Sequence, residues 1–146
     1  MSVTVNPLST NYDVSQVFLG RNRYKNYTYT NSTGSTVTLV PGTLLGLILA
    51  TNLLLPHISS ATDGSEQPIG VCADTYVVPT GTSVLVTLCN RGEVNQNKVV
   101  LGAGDTMATV VRTVSTGGGT IEQLILKNTD IELVPSIELT IQDPNQ

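Results

Sequence analysis

Apolar and polar positions in this chain change places over short distances, and most stretches follow the period of two that extended strands require. From Val17 to Thr30 one side reads Val17, Leu19, Arg21, Arg23, Lys25, Tyr27 and Tyr29, the other Phe18, Gly20, Asn22, Tyr24, Asn26 and Thr28. Asn31–Ser35 reads as a turn and Thr36–Val40 as a short β-branched strand, closed by the Pro41-Gly42 turn. The run Thr43–Leu55 predicts a buried strand pair or a strand with a turn. Within it Thr43–Ala50 reads as strand and the remainder as a loop through Pro56. It is far short of the ~20 residues that cross a bilayer. Asp63-Gly64 is a hairpin signal leading into Gln67–Asp74, and Pro79–Thr82 turns the chain again. Ser83–Cys89 is apolar on both faces, which predicts a central strand.

After Asn90-Arg91-Gly92 come Glu93-Val94-Asn95 and then Val99–Leu101. Asp105 or Thr106 can cap a short helix running to Val114, with a strand as the alternative. Thr120-x-x-Gln123 is a capping box, followed by Ile121, Leu124 and Ile125 at helical spacing and by Asn128 as a stop. Ile131–Val134 and Ile137–Ile141 read as closing strands around Pro135. The sum is a mainly β (β-rich α+β) fold: a compact, small barrel- or sandwich-like domain with one or two short helices. Residues 1–15 are polar and aperiodic, so an extended N-terminal arm is expected, with arm and domain divided at residues 1–36 and 37–146. Removal of residues 1–30 is accordingly expected to leave a folded domain.

Composition narrows the function. The chain has 146 residues and a formal net charge of −4, the wrong sign for affinity drawn from nucleic-acid phosphates. With 40% hydrophobic and 12% charged residues it is not a disordered chain. The start, MSVTVNPLST, has neither the basic nor the apolar region of a signal peptide. Five of the six aromatics, Tyr12, Phe18, Tyr24, Tyr27 and Tyr29, fall in the first thirty residues, beside Arg21, Arg23 and Lys25. Tyr and Arg supply large amphipathic contacts at protein interfaces, so this segment is the candidate binding surface. An edge strand covering a small core, or stacking on single-stranded nucleic acid, are the competing readings.

Catalytic chemistry is not evident. His57 is the lone histidine, in an expected loop, and reads as a solvated side chain. There is no CxxC and no second His for zinc, and no G-x-S-x-G elbow. Gly102-Ala103-Gly104 lacks the third glycine of a dinucleotide fingerprint, since Met107 takes that place. Asp130 and Glu132 share a strand face without an evident partner. Cys72 and Cys89 lie inside apolar runs and read as buried free thiols, although a disulfide between neighbouring strands is geometrically open. No enzyme activity, cofactor or metal is expected.

One set of short elements, taken in order, carries a resemblance. Val40-Pro41-Gly42-Thr43-Leu44-Leu45-Gly46 is followed by Asp63-Gly64-Ser65 and Pro68-Ile69-Gly70-Val71. Then come Gly92-Glu93-Val94-Asn95, Leu101-Gly102-Ala103-Gly104-Asp105-Thr106 and Ile131-Glu132-Leu133-Val134-Pro135. Over residues 37–141 the order resembles that of the lambda-type head decoration, or capsid cement, proteins of tailed bacteriophages. The chain departs from that pattern at Lys127-Asn128-Thr129-Asp130, before the closing strand, and in the inserted TGGG run.

The resemblance implies a non-enzymatic virion protein, made in the host cytoplasm and sitting on the outer surface of the head. Its partners would be the major capsid protein and other copies of itself, commonly as a homotrimer, with a dimer as the alternative. It would take no direct nucleic acid and no membrane, and it would hold the expanded capsid against internal DNA pressure. Its capsid-binding arm would carry Tyr12, Phe18, Arg21, Arg23, Tyr24, Tyr27 and Tyr29. The alternative is a surface β module for a receptor or carbohydrate, which needs exposed loop aromatics, and beyond the N-terminal segment only Tyr76 is on offer.

Overall fold

The computed structural model describes residues 16–111 and 118–135. The expected arm residues 1–15, the end of the segment running to Val114, and the strand Ile137–Ile141 lie outside the described residues.

The strands are β1 (Phe18–Thr30), β2 (Val37–Leu39), β3 (Leu44–Ile48), β4 (Leu53–Pro56), β5 (Pro68–Cys72), β6 (Tyr76–Val78), β7 (Ser83–Asn95), β8 (Val110–Val111), β9 (Gly119–Thr120) and β10 (Asp130–Val134). A single 3-10 turn spans Gln96–Lys98, and the helix α1 runs Ile121–Asn128. Five strands close a barrel in the order β1-β4-β3-β5-β7, with β7 pairing back onto β1. β7 is its spine. It runs antiparallel to β1 from Phe18↔Val94 to Thr30↔Ser83, touches β5 at Val71↔Cys89 and Cys72↔Leu88, and carries β10 in parallel from Asp130↔Arg91 to Val134↔Asn95. The expectation of a central strand therefore holds.

The strand is longer than Ser83–Cys89 and runs on through Arg91 and Gly92 to Asn95. Gly92 takes φ +120° and lets β7 continue past β1, because a Cβ there would stand 2.6 Å from Asn22 Cα. Opposite it, β1 slips register between Phe18 and Tyr24, and Arg21 adopts φ 53°, in the left-handed region. These are β-bulges, and they break the simple two-sided reading of Val17–Thr30.

Neighbouring residues on the inner strands serve two cores. Leu45, Cys72 and Leu88 join Tyr29, Leu39, Leu54, Val78 and Val86 in one cluster. Leu44, Val71 and Cys89 point the other way, into a second cluster with Val94, Val111, Ile121, Leu124, Ile125 and Ile131. The alternation of strand side chains thus explains why both faces of these segments are apolar. Both cysteines are free and buried, which closes the question of a disulfide.

Several expectations are corrected. The segment read as a loop through Pro56 contains β4, which makes a hairpin with β3 from Leu45↔Pro56 to Ile48↔Leu53, so the strand-pair reading of Thr43–Leu55 is the correct one. β6, not foreseen, pairs with β2. No helix starts at Asp105 or Thr106: turns run to Thr109 and β8 follows. Thr106 N–H donates to Thr109 Oγ1, closing a local turn, while the Asp105 carboxylate is taken by Ser59, distant in the chain. Residues 18–30 are a wall of the barrel, so removing residues 1–30 would open it rather than leave it folded.

The capping box forms as expected. Thr120 Oγ1 accepts from Gln123 N–H at 3.2 Å and Gln123 Oε1 accepts from Thr120 N–H at 2.9 Å. Thr120→Ala should lower stability by about 1 kcal/mol in urea unfolding, because it strips the Gln123 N–H of its acceptor, while Ile121 and Glu122 N–H keep the Thr109 and Met107 carbonyls. A change below about 0.3 kcal/mol would show that tertiary burial of Ile121, Leu124 and Ile125 alone holds it.

Candidate functional site

The aromatic and basic residues of the N-terminal stretch do not share one environment. Tyr29 is 2% exposed and belongs to the barrel core, so its ring cannot reach a partner. Tyr27 is half-buried against that core. Phe18 is half-buried and packs edge-on against Tyr24, ring centroids 6.0 Å apart at 74°. Tyr24 is 48% exposed, while Arg21, Arg23 and Lys25 are exposed. Burial, and secondarily the Cys89 sulfur, hold the Tyr24 phenol above its ordinary pKa, so it presents a neutral hydroxyl. Tyr12 lies outside the described residues.

The bulge brings together what the sequence keeps apart. Arg21, Arg23 and Arg91 stand on one cleft of about 510 Å³ with Glu93, Asp130 and Glu132. Asn22 lines it too, its amide donating to Glu93 O at 3.1 Å and to Cys89 Sγ at 3.3 Å. Asp130 and Glu132 thus line the same cleft as Arg21, Arg23 and Arg91, with Asp130 in register with Arg91 of β7. No local signal could reveal this. The parallel β10–β7 pairing that delivers the acids joins segments far apart in the chain. The result is a polar surface of mixed charge, suited to recognising a polypeptide.

His57 is not solvated. It is 2% exposed at the end of the β3–β4 hairpin, and its Nε2 lies 2.9 Å from Glu66 O. A carbonyl only accepts, so Nε2 carries the hydrogen and Nδ1 is a bare acceptor, without a hydrogen-bond partner among the described residues. Burial outweighs the Glu66 carbonyl and the Asp105 and Glu66 charges and holds its pKa below the ordinary value of 6.5. The folded protein therefore binds this proton less readily than the unfolded chain. The His57 contribution is complete above pH ~6.5 and is lost as pH falls toward the depressed value. Thermal stability should fall as pH drops below about 6.5, and His57→Gln should flatten that slope. An unchanged slope in the variant would assign it elsewhere.

Tyr76 stands on β6, half-buried, its hydroxyl accepting from Thr87 N–H at 2.9 Å. It is not the free loop aromatic that a sugar-binding module requires. Among the described residues, no three His, Cys, Asp or Glu side chains are placed to hold a metal ion.

A family model described as bacteriophage lambda head decoration protein D matches residues 14–117. The match takes in the barrel, including all of β1, and ends before α1. Among curated proteins, none matches the chain significantly.

Proposed function

The chain belongs to the bacteriophage lambda head decoration protein D family, and from that premise we propose that it cements neighbouring major capsid subunits on the outside of the expanded head. Membership makes it a structural protein of the phage capsid. The cementing role goes further. Pressure from packaged DNA pulls capsid subunits apart. A clamp that binds the expanded lattice better than the unexpanded one stabilises it by that difference in affinity. No bond is made or broken in this work.

A homotrimer, presenting the same contact several times, would stay attached when one contact opens. The contact begins with the segment before β1, which carries Tyr12 and adds an extended stretch to a capsid sheet edge. It continues over the exposed Arg21, Arg23 and Tyr24, with the half-buried Phe18 and Tyr27 supporting them. Tyr29 acts through the barrel core.

The family match carries this reading, and the exposed Arg21, Arg23 and Tyr24 beside the entry of the N-terminal segment support it. Co-sedimentation with purified heads tests it. The full chain should pellet with expanded heads and not with unexpanded ones. Deletion of residues 1–15, and separately the triple change Arg21→Ala, Arg23→Ala, Tyr24→Ala, should each weaken this by about tenfold or more. Equal binding to both lattices, or undiminished binding by both variants, would overturn it.

A further inference from the structure

A hollow of about 230 Å³ opens where β1, β6 and β7 meet the β5–β6 link, lined by Tyr24, Ala73, Asp74, Tyr76 and Thr87. It lies below the ~300 Å³ at which pockets for whole small molecules begin, and so suits a single side chain. Its walls are fixed in advance. Phe18 packs edge-on against the Tyr24 ring, which remains 48% exposed. Tyr76 Oη accepts from Thr87 N–H at 2.9 Å, and Thr87 Oγ1 donates to Asn26 Oδ1 of β1 at 2.8 Å, so β1, β6 and β7 are tied together around the opening.

The charge on this wall has one sign. Asp74 is exposed and supplies the carboxylate of the lining, and among the described residues no lysine or arginine joins it there. Its Oδ1 accepts from Thr75 N–H at 2.7 Å, which holds the carboxylate in place while its second oxygen can take a further donor. Two phenol rings beside one carboxylate attract a cation with a flat face. Arginine suits this better than lysine, because a guanidinium stacks on a ring while its N–H fork bonds a carboxylate.

We propose that this hollow receives an arginine side chain of the major capsid subunit. The cation chemistry stands on the lining alone, whereas the identity of the occupant rests on the capsid-cementing reading. Tyr24 connects the two. It lines the hollow and also belongs to the exposed surface with Arg21 and Arg23, so a subunit lying over that surface covers the hollow as well.

Nuclear magnetic resonance on the full chain, without heads, tests the chemistry. Added N-acetyl-arginine amide should shift the Tyr24 and Tyr76 ring protons and the Thr87 amide, and Asp74→Asn should reduce those shifts about threefold or more. Asparagine keeps an oxygen for Thr75 N–H, so the link is preserved. N-acetyl-glutamine amide and methyl glucoside should leave the same signals in place. Shifts no larger with the arginine derivative than with these, or undiminished in Asp74→Asn, would overturn the cation site whatever the heads do. Co-sedimentation with expanded heads tests the occupant. Asp74→Asn and Tyr24→Leu should each bind about threefold or more weakly, while Tyr24→Phe, which keeps a ring for the cation, should bind like the parent. Asp74→Asn pelleting like the parent would overturn the capsid assignment. A parent that never pellets would defeat the cementing reading and this occupant with it, and the resonance shifts would still report on the hollow. Self-association lost in Asp74→Asn would make the occupant an arginine of another copy and overturn the proposal as well.

Discussion

Tyr29→Ala should destabilise the domain by about 3–5 kcal/mol, the cost of deleting a large buried aromatic ring. Tyr29 is 2% exposed and packs with Leu54, Val86 and their neighbours. Its position adds to the cost. It is the β1 residue that pairs across both seams, with Val84 of β7 on one side and Leu54 of β4 on the other. The parallel β1–β4 pairing rests on that single register pair, so the barrel closes there with little backbone redundancy. Loss of the ring takes packing from the place least able to replace it. Domains of this size have about 5–15 kcal/mol in total, so the variant should melt far below the parent or fail to accumulate. Tyr27→Ala, at a half-buried site two residues away, is the control and should cost less. A loss under about 1 kcal/mol for Tyr29→Ala would mean that the seam is held by backbone hydrogen bonds rather than by this side chain.

Gly46→Ala should be almost as damaging, at about 3 kcal/mol, the upper end of the usual range for overpacking. Gly46 sits in β3 between Leu55 of β4 and Pro68 of β5. A Cβ there would stand 2.2 Å from Ser65 O and 2.8 Å from Ser65 Cα, both backbone atoms. Ser65 cannot easily retreat. Its N–H and hydroxyl both donate to Asp63 Oδ1, at 3.0 Å and 2.6 Å, and its carbonyl accepts from Ile58 N–H at 3.4 Å. Those same bonds hold the Asp63 carboxyl below its ordinary pKa, so the clamp persists into moderate acid. Moving Ser65 would also drag Glu66, whose carbonyl fixes the His57 ring. Urea unfolding gives the number, and a midpoint within about 0.5 kcal/mol of the parent would show that the crossing is softer than its distances imply.

Legibility in the sequence followed the range over which each feature is determined. The helix at Ile121–Asn128 was readable because its signals are local: a capping box, three apolar residues on one face, and a stop. The central role of Ser83–Cys89 was readable because a strand feeding two cores must be apolar on both sides. β4 was hidden inside a continuous apolar run in which Pro56 read as loop. β6 is three residues long and offered too little pattern. The false helix at Asp105 arose because a side chain able to cap a helix can bond elsewhere instead, here to Ser59 from a distant part of the chain, and only the tertiary setting selects between them.

The same division runs through the candidate binding surface. Its aromatic and basic half was visible as a cluster in sequence. Its acidic half was assembled by strand pairing, and the inward turn of Tyr29 and the burial of His57 were decided by barrel closure. Each of these depends on contacts between distant parts of the chain, which residue spacing does not encode.

The split of the interior along β5 and β7 has a practical consequence. Cys72 lies in the cluster with Tyr29, and Cys89 in the cluster with the helix. Each hydrophobic compartment therefore contains one native thiol, shielded until that compartment opens. Alkylation rates at the two sulfurs, resolved by mass spectrometry, would time the breathing of each half separately, with no foreign probe introduced.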